Sequence, residues 1–203
     1  MADIKRKGYG QVEPNHLSGI VTGQIYAQLP ARYTEGSGTT AIEKPIAQLE
    51  QGQFIKYDYA NGRCALDADG EFMLVYCEEK LYDERKQSHK DFVLKASDFT
   101  DGEIYPRLIR TYVGDIYTTN SIKTANTTGD EAEVVIGTDD KLKLGAYLTV
   151  NPATGFLDIA TDTTGATATD LDDIAIEMVW KVVKVYTMPD TRQVGFKLQR
   201  VRW

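Results

Sequence analysis

Apolar and polar residues alternate with a period of two along much of this chain, which marks strands buried on one face. In Phe54-Ile55-Lys56-Tyr57-Asp58-Tyr59, Ile55, Tyr57 and Tyr59 share one face while Lys56 and Asp58 take the other. In Gln193–Val201, Val194, Phe196 and Leu198 oppose Lys197 and Gln199. Met178–Met188 is a long strand rich in β-branched residues, and Pro189-Asp190-Thr191 turns it back toward that last strand. Phe72–Cys77 is apolar without a break, so it reads as a central strand covered on both faces.

Shorter elements fill the intervals. Gln24–Leu29 is a first strand ended by Pro30, and residues 31–40 read as a flexible loop. Ala41–Leu49 is ambiguous: Glu43, Lys44, Gln48 and Glu50 suit a helix and Pro45 could open one. A strand is preferred there, because Glu50-Gln51-Gly52-Gln53 then joins it to Phe54. Asn61-Gly62 is a strong hairpin signal, since both central positions of a type I′ turn need φ > 0, and Asp69-Gly70 repeats it around Arg63–Leu66. Residues 78–91 are charged and suit a short helical turn. Ile104–Tyr117 offers two strands broken near Gly114-Asp115. Val134–Ile136, a turn at Gly137–Asp140, the alternating Lys141–Leu144, Leu148–Val150 and Phe156–Ile159 follow. Asn151-Pro152-Ala153-Thr154-Gly155 is punctuated as a turn, and Thr161–Thr169 is a low-complexity exposed loop. Many short strands with closely spaced turns predict an all-β fold, an antiparallel β-barrel or sandwich. No window carries three helical turns of apolar i, i+3, i+4 spacing.

Residues 1–22 show neither period. They read as an extended N-terminal arm, with residues 23–203 as the β domain, in one lobe or in two with an insertion around 78–135. An arm of this kind costs roughly 1–2 kcal/mol per residue to order, so strand addition or apolar anchoring on a partner must offset it. Lys5, Arg6 and Lys7 supply its charge, and Tyr9, Val12 and Leu17 are its candidate anchors.

The chain has 203 residues and a formal net charge of −7, which argues against general nucleic-acid binding. No stretch approaches the ~20 apolar residues of a membrane helix, and the basic N-terminus has no apolar core behind it to make a signal peptide. The cysteines, Cys64 and Cys77, lie in apolar runs and read as small buried side chains in a reducing compartment. Charge is segregated. Gly145–Trp180 holds no Lys or Arg but has Asp158, Asp162, Asp170, Asp172, Asp173 and Glu177; the C-terminal hairpin has Lys181, Lys184, Arg192, Lys197, Arg200 and Arg202 against Asp190 alone. Complementary potentials in one chain suit head-to-tail or lattice contacts.

Catalytic chemistry finds little support. His16 lies in the arm and His89 beside Ser88 in a charged stretch, so no triad geometry is indicated. Two Cys and two His, scattered, do not make a zinc site. Gly36-Ser37-Gly38-Thr39-Thr40-Ala41 matches the dinucleotide glycine pattern, with Asp58 about twenty residues on, but no strand feeds it and no helix opens from it. Asp67, Asp69 and Gly70 fail the EF-hand pattern and read as a turn; Asp170, Asp172 and Asp173 begin like one but continue with Ile174 and Ala175, which leaves at most a weak calcium loop. No pair of acids can be assigned to glycoside hydrolysis. No catalytic, cofactor or metal residue is therefore predicted.

Three stretches together resemble tailed-bacteriophage particle proteins. They are Pro14-Asn15-His16-Leu17-Ser18 with Thr22–Pro30, Leu49-Glu50-Gln51-Gly52-Gln53-Phe54-Ile55-Lys56-Tyr57-Asp58, and Lys143–Gly155. The succession of strand, Glu-x-Gly, hydrophobic strand and Asn-Gly or Asp-Gly turn is similar to the small β-barrels of capsid decoration (cement) proteins. That resemblance implies no catalysis and no cofactor. It implies a virion protein that binds the outer capsid, often as a trimer, with its N-terminal arm on the major capsid protein. It carries over no functional residue, because the family has no active site. A tail-tube or neck component, and a carbohydrate- or cell-surface-binding module using exposed Tyr and Trp, are the rival expectations.

Overall fold

The computed structural model describes residues 10–12, 19, 25–76, 93–122, 142–176, 178–188 and 194–202. Within these, the strands in chain order are β1 (Ile25–Tyr26), β2 (Arg32–Glu35), β3 (Ile42–Pro45), β4 (Gln48–Glu50), β5 (Phe54–Asp58), β6 (Arg63–Ala65), β7 (Phe72–Val75), β8 (Val93–Lys95), β9 (Leu108–Ile109), β10 (Ile116–Thr119), β11 (Tyr147–Val150), β12 (Leu157–Ile159), β13 (Val179–Thr187) and β14 (Val194–Arg202). They form two five-stranded sheets, ordered β1-β9-β7-β5-β6 and β10-β14-β13-β11-β12, and two ribbons, β2-β3 and β4-β8. Every pairing within these sheets and ribbons is antiparallel. The protein is thus all-β, as the period-two pattern predicts.

The two sheets share a core. Phe54 and Leu74 from the first sheet meet Tyr117, Leu148, Trp180, Val182, Phe196 and Leu198 from the second. Its centre is aromatic: the Tyr117 and Trp180 rings lie 4.8 Å apart at 82°, and Phe54 lies 5.9 Å from Trp180. Edge-to-face pairs of this kind add to the stabilisation from burial alone.

The first sheet is covered on its other face too. Successive side chains of β5 and β7 point to opposite faces, so Phe54 and Leu74 enter the shared core while Ile55, Tyr57, Met73 and Val75 enter a second one with Ala31, Leu49, Cys64, Ile104 and Leu108. This double burial is why Phe72–Val75 carries no polar position. A third, smaller cluster of Ala160, Ala168, Ile174 and Val179 packs on the second sheet.

Strand edges attract foreign strands, and single bridges cover several of them. Val12 pairs with Thr119 on β10, Ala31 with Cys64 on β6, and Ile122 with Leu157 on β12. The last bridge joins the segment after β10 to the opposite edge of the same sheet, curling that sheet on itself.

Several expectations need correction. Residues 31–40 are not a flexible loop. Arg32–Glu35 pairs with Ile42–Pro45, and the reversal uses Gly36 at φ +86 followed by one 3-10 turn at Gly38–Thr40. Tyr and Thr favour strands, and Arg32–Glu43 and Lys44–Glu35 ion pairs cross this ribbon. Ala41–Leu49 is two strands rather than one, because Ile42–Pro45 pairs with Arg32–Glu35 while Gln48–Glu50 turns to a different partner, Val93–Lys95. Asn61-Gly62 does turn β5 into β6, but through a four-residue reversal (Asp58 pairs with Arg63) in which the Asp58 carboxylate accepts from the Asn61 amide and side chain. Asp69-Gly70 is no hairpin: β6 and β7 lie on opposite sides of β5, and residues 66–71 lead from one side to the other. Leu142, Lys143 and Leu144 form a bend and turn rather than a strand, with Leu142 buried and Leu144 exposed. Gly145 at φ +89 makes that turn.

The strands Phe72–Val75, Tyr147–Val150, Leu157–Ile159, Val179–Thr187 and Val194–Arg202 lie where the pattern places them. Leu108–Ile109 and Ile116–Thr119 are broken near Gly114 as expected, and the break passes the chain from one sheet to the other. The Thr161–Thr169 loop is mostly exposed yet ordered. Asp162 Oδ1 accepts from the amides of Thr164 and Ala166, and Ala168 is buried. The expected helical turn at 78–91, the strand at Val134–Ile136 and the turn at Pro189-Asp190-Thr191 lie outside the described residues.

Candidate functional site

The segment assigned to a free arm is partly stitched into the body. The Gly10 amide donates to Glu50 Oε2 at 2.7 Å and the Gln11 amide to Asn120 Oδ1 at 2.8 Å; Thr119 Oγ1 donates back to Gln11 O at 2.6 Å. Val12 is 3% exposed and belongs to the shared core. Val12 is therefore a core residue of this chain and is not free to anchor on a partner: an apolar side chain beside an open β10 edge is stabilised more by burial there than by exposure. Lys5, Arg6, Lys7, Tyr9 and Leu17 lie outside the described residues.

The attachment rests on a buried polar knot. Gln11, Glu50, Gln51, Gln53, Thr118, Thr119, Asn120 and Ser121 are all buried. The Glu50-Gln51-Gly52-Gln53 turn sits at its centre. Glu50 N donates to Gln53 Oε1 at 2.6 Å, Gln53 Nε2 to Thr154 O at 2.8 Å and Phe54 N to Gly155 O at 2.7 Å. Two of the sequence stretches that carry the resemblance, around Glu50 and around Asn151–Gly155, are thus in contact. The Ser121 side chain packs so close here that glycine is required: a Cβ on Gly10 would lie 2.5 Å from Ser121 Oγ, and one on Gly52 (φ +87) 2.7 Å from Ser121 Cβ.

The second cluster clamps the sheets together. Arg200, with its side chain 1% exposed, donates through Nη1 to Thr111 Oγ1 at 2.9 Å, to the Thr111 carbonyl and to Glu71 Oε1 at 3.1 Å. Glu71 Oε2 accepts from Arg110 Nε at 2.8 Å. Sequence reasoning placed Arg200 in a basic hairpin and missed this role. The signal was present: Arg200 follows Phe196 and Leu198 at the inward parity of β14, where the alternation calls for an apolar residue.

The basic hairpin is consequently less free than its composition suggests. Arg200 is spent on Glu71, and Arg202 Nη1 donates to Leu171 O and Ile174 O. Among the described residues Lys181, Lys184 and Lys197 remain, and Arg192 lies outside them. Lys184 and Lys197 are paired directly across β13-β14, next to Lys181 opposite Gln199. Lys181 and Lys184 lie over the Tyr147 and Tyr186 rings at 5.2 and 5.9 Å; neither they nor Lys197 has a salt bridge among the described residues.

The remaining candidates resolve into local structure. Gly36–Ala41 is the turn of the β2-β3 ribbon, and Asp58 is held by Asn61 and Arg63. The side-chain hydrogen bond from Asn61 comes first among the causes that lower the Asp58 pKa below its ordinary value. Asp67 faces Arg63 at 3.5 Å, and Asp172 N donates to Asp170 Oδ1. No group of three Cys, His, Asp or Glu among the described residues can hold a metal. Cys64 is fully buried, with its pKa pushed up to about 12 by desolvation. His16, His89 and Cys77 lie outside the described residues. Trp180 is fully buried and so is not part of an exposed aromatic platform, whereas Tyr59 is 69% exposed. Comparison with known proteins returned no matching family model, no matching curated protein and no matching solved structure.

Proposed function

We propose that this chain is a non-enzymatic structural protein of a virus particle, which binds the outer capsid surface and stabilises the head by bridging capsomers. The body is a rigid plug, and its surfaces do the work. The observation that carries this reading is the Lys184–Lys197 pair with Lys181 beside it. Like charges directly opposite each other on a sheet destabilise it. An acidic partner surface reverses that sign.

The chain itself has such a surface in the segment around Asp158, Asp162, Asp170, Asp172 and Asp173. Contact between this segment of one copy and the lysine face of the next is heterologous, and closes into a ring such as a trimer if the rotation permits. The arm then serves the capsid protein, with Lys5, Arg6 and Lys7 a few residues ahead of the Gly10–Val12 attachment. The attachment fixes where the arm leaves the body, which lowers the entropy lost on docking.

Two variants test the two contacts. Lys184→Glu/Lys197→Glu should turn the oligomer into monomers in sedimentation velocity, and moderate salt should do the same to the wild type. Removing residues 1–9, which spares the attachment, should leave the oligomer intact but stop co-sedimentation with heads assembled from the major capsid protein. A wild type that is monomeric at all salt concentrations, or a truncated chain that still pellets with heads, overturns the reading.

A further inference from the structure

At one end of the gap between the sheets, inward-facing positions switch from apolar to charged. Lys56 shares its parity with Phe54 on β5, and Arg200 shares its parity with Leu198 on β14. Between them the gap opens into a cleft of about 460 Å³. A sandwich built for rigidity alone would fill this volume with apolar side chains. Among the described residues, three cations line the cleft, Lys56, Arg110 and Arg200, against one carboxylate, Glu71, in a chain whose formal net charge is −7.

The carboxylate is already committed. Arg200 occupies Glu71 Oε1 and Arg110 Nε occupies Oε2. The two Nη groups of Arg110, whose side chain is 40% exposed, make no hydrogen bond among the described residues. Lys56 Nζ makes one, to Ala68 O at 2.8 Å, and sits 4.9 Å from the centre of the Phe72 ring. The cleft therefore offers a guanidinium fork and an ammonium with donors to spare. Phe72, Ile176 and Met178 supply apolar wall, and no Ser, Thr, Asn or Gln among the described residues lines it. A planar carboxylate matches the Arg fork.

We infer that this cleft binds a carboxylate carried on an apolar body, with Arg110 and Lys56 taking the carboxylate and Phe72, Ile176 and Met178 seating the body. The same chemistry can come from a free organic acid or from the C-terminal carboxylate of a peptide ending in an apolar residue. The inference does not depend on the particle role.

Calorimetric titration of the full chain tests it with hexanoate, 3-phenylpropionate, hexanol, inorganic phosphate, and a short peptide ending in Leu-Phe as its acid and its amide. At least one carboxylate probe should bind, while hexanol, phosphate and the amide should not. Arg110→Met, which keeps the apolar stem, should weaken binding roughly tenfold or more. Lys56→Met should weaken it too, and thermal melts of both variants check that they fold. Free acids binding with the peptide acid silent assigns a small-molecule source; the peptide acid binding more tightly than the free acids assigns a chain terminus. The inference is overturned if no carboxylate binds, if hexanol or phosphate binds as well as the acids, or if both folded variants bind like the wild type.

Discussion

The inter-sheet clamp makes a quantitative prediction. Replacing Glu71 by Met strands the guanidinium of Arg200, whose side chain is 1% exposed, without its carboxylate. Breaking a buried pair from one side typically costs about 3–5 kcal/mol. The lower end applies here, because Glu71 is 24% exposed and Arg200 keeps Thr111 Oγ1, the Thr111 carbonyl and Arg202 O. With a urea m-value of about 2–3 kcal/mol per M for a chain of this size, the midpoint should fall by about 1 M. Arg200→Met should be milder, since Glu71 keeps Arg110 and has access to water. The double variant Glu71→Met/Arg200→Met removes both charges and puts two flexible apolar side chains beside Phe72, Val150 and Met178. It should be more stable than Glu71→Met alone, within about 1.5 kcal/mol of the wild type. Equilibrium urea unfolding of all four proteins measures the cycle. A double variant as destabilised as the sum of the singles would refute the clamp, because it would mean the two residues act independently.

Other expectations follow from single sites. Gly52→Ala should destabilise by several kcal/mol, since its Cβ would lie 2.7 Å from Ser121 Cβ at φ +87; Gly62→Ala, at φ +65 in open space, should cost only the backbone strain of about 1–2 kcal/mol. Thermal melts that show equal losses would contradict this. In a Cys77→Ser background, Cys64 should resist an aromatic disulfide reagent until urea unfolds the protein, because burial keeps it a thiol. Stability should fall on acidification below about pH 3.8, the ordinary value of Asp58 and Asp162. Folding lowers both pKa values, so their contribution is present above that value and is lost as pH falls through the folded ones. Asp58→Asn should flatten the acid limb of a plot of unfolding free energy against pH. In alkali the buried Tyr117 hydroxyl, raised well above 10.0 by desolvation, should destabilise the fold as pH rises past that value.

What could be read in advance was local. The β13-β14 strands and the Asn151–Gly155 turn declare themselves, because alternation and turn chemistry are short-range properties. Partners are not. Nothing between Arg63 and Phe72 tells that β7 will pair on the far side of β5, so Asp69-Gly70 looked like a second hairpin. Arg32–Glu35 was hidden because its neighbouring glycines outweighed a four-residue strand whose partner supplies its ion pairs. At the candidate site, the lysine-rich hairpin was visible in composition. The facing of Lys184 and Lys197 was not, since it depends on a register shift between Val182 and Lys184. Val12 was misplaced for a different reason: one valine in a glycine-bearing polar segment has no periodicity, and only the β10 edge across the fold gives it a place.

The particle role is tested most directly by a cryo-electron microscopy difference map between heads assembled with and without this chain. The account predicts added density on the outer shell at capsomer junctions, in closed rings of a few copies, each with the lysine face of β13-β14 against the next copy. Heads identical in the two maps, or density confined to the neck or tail, would contradict it.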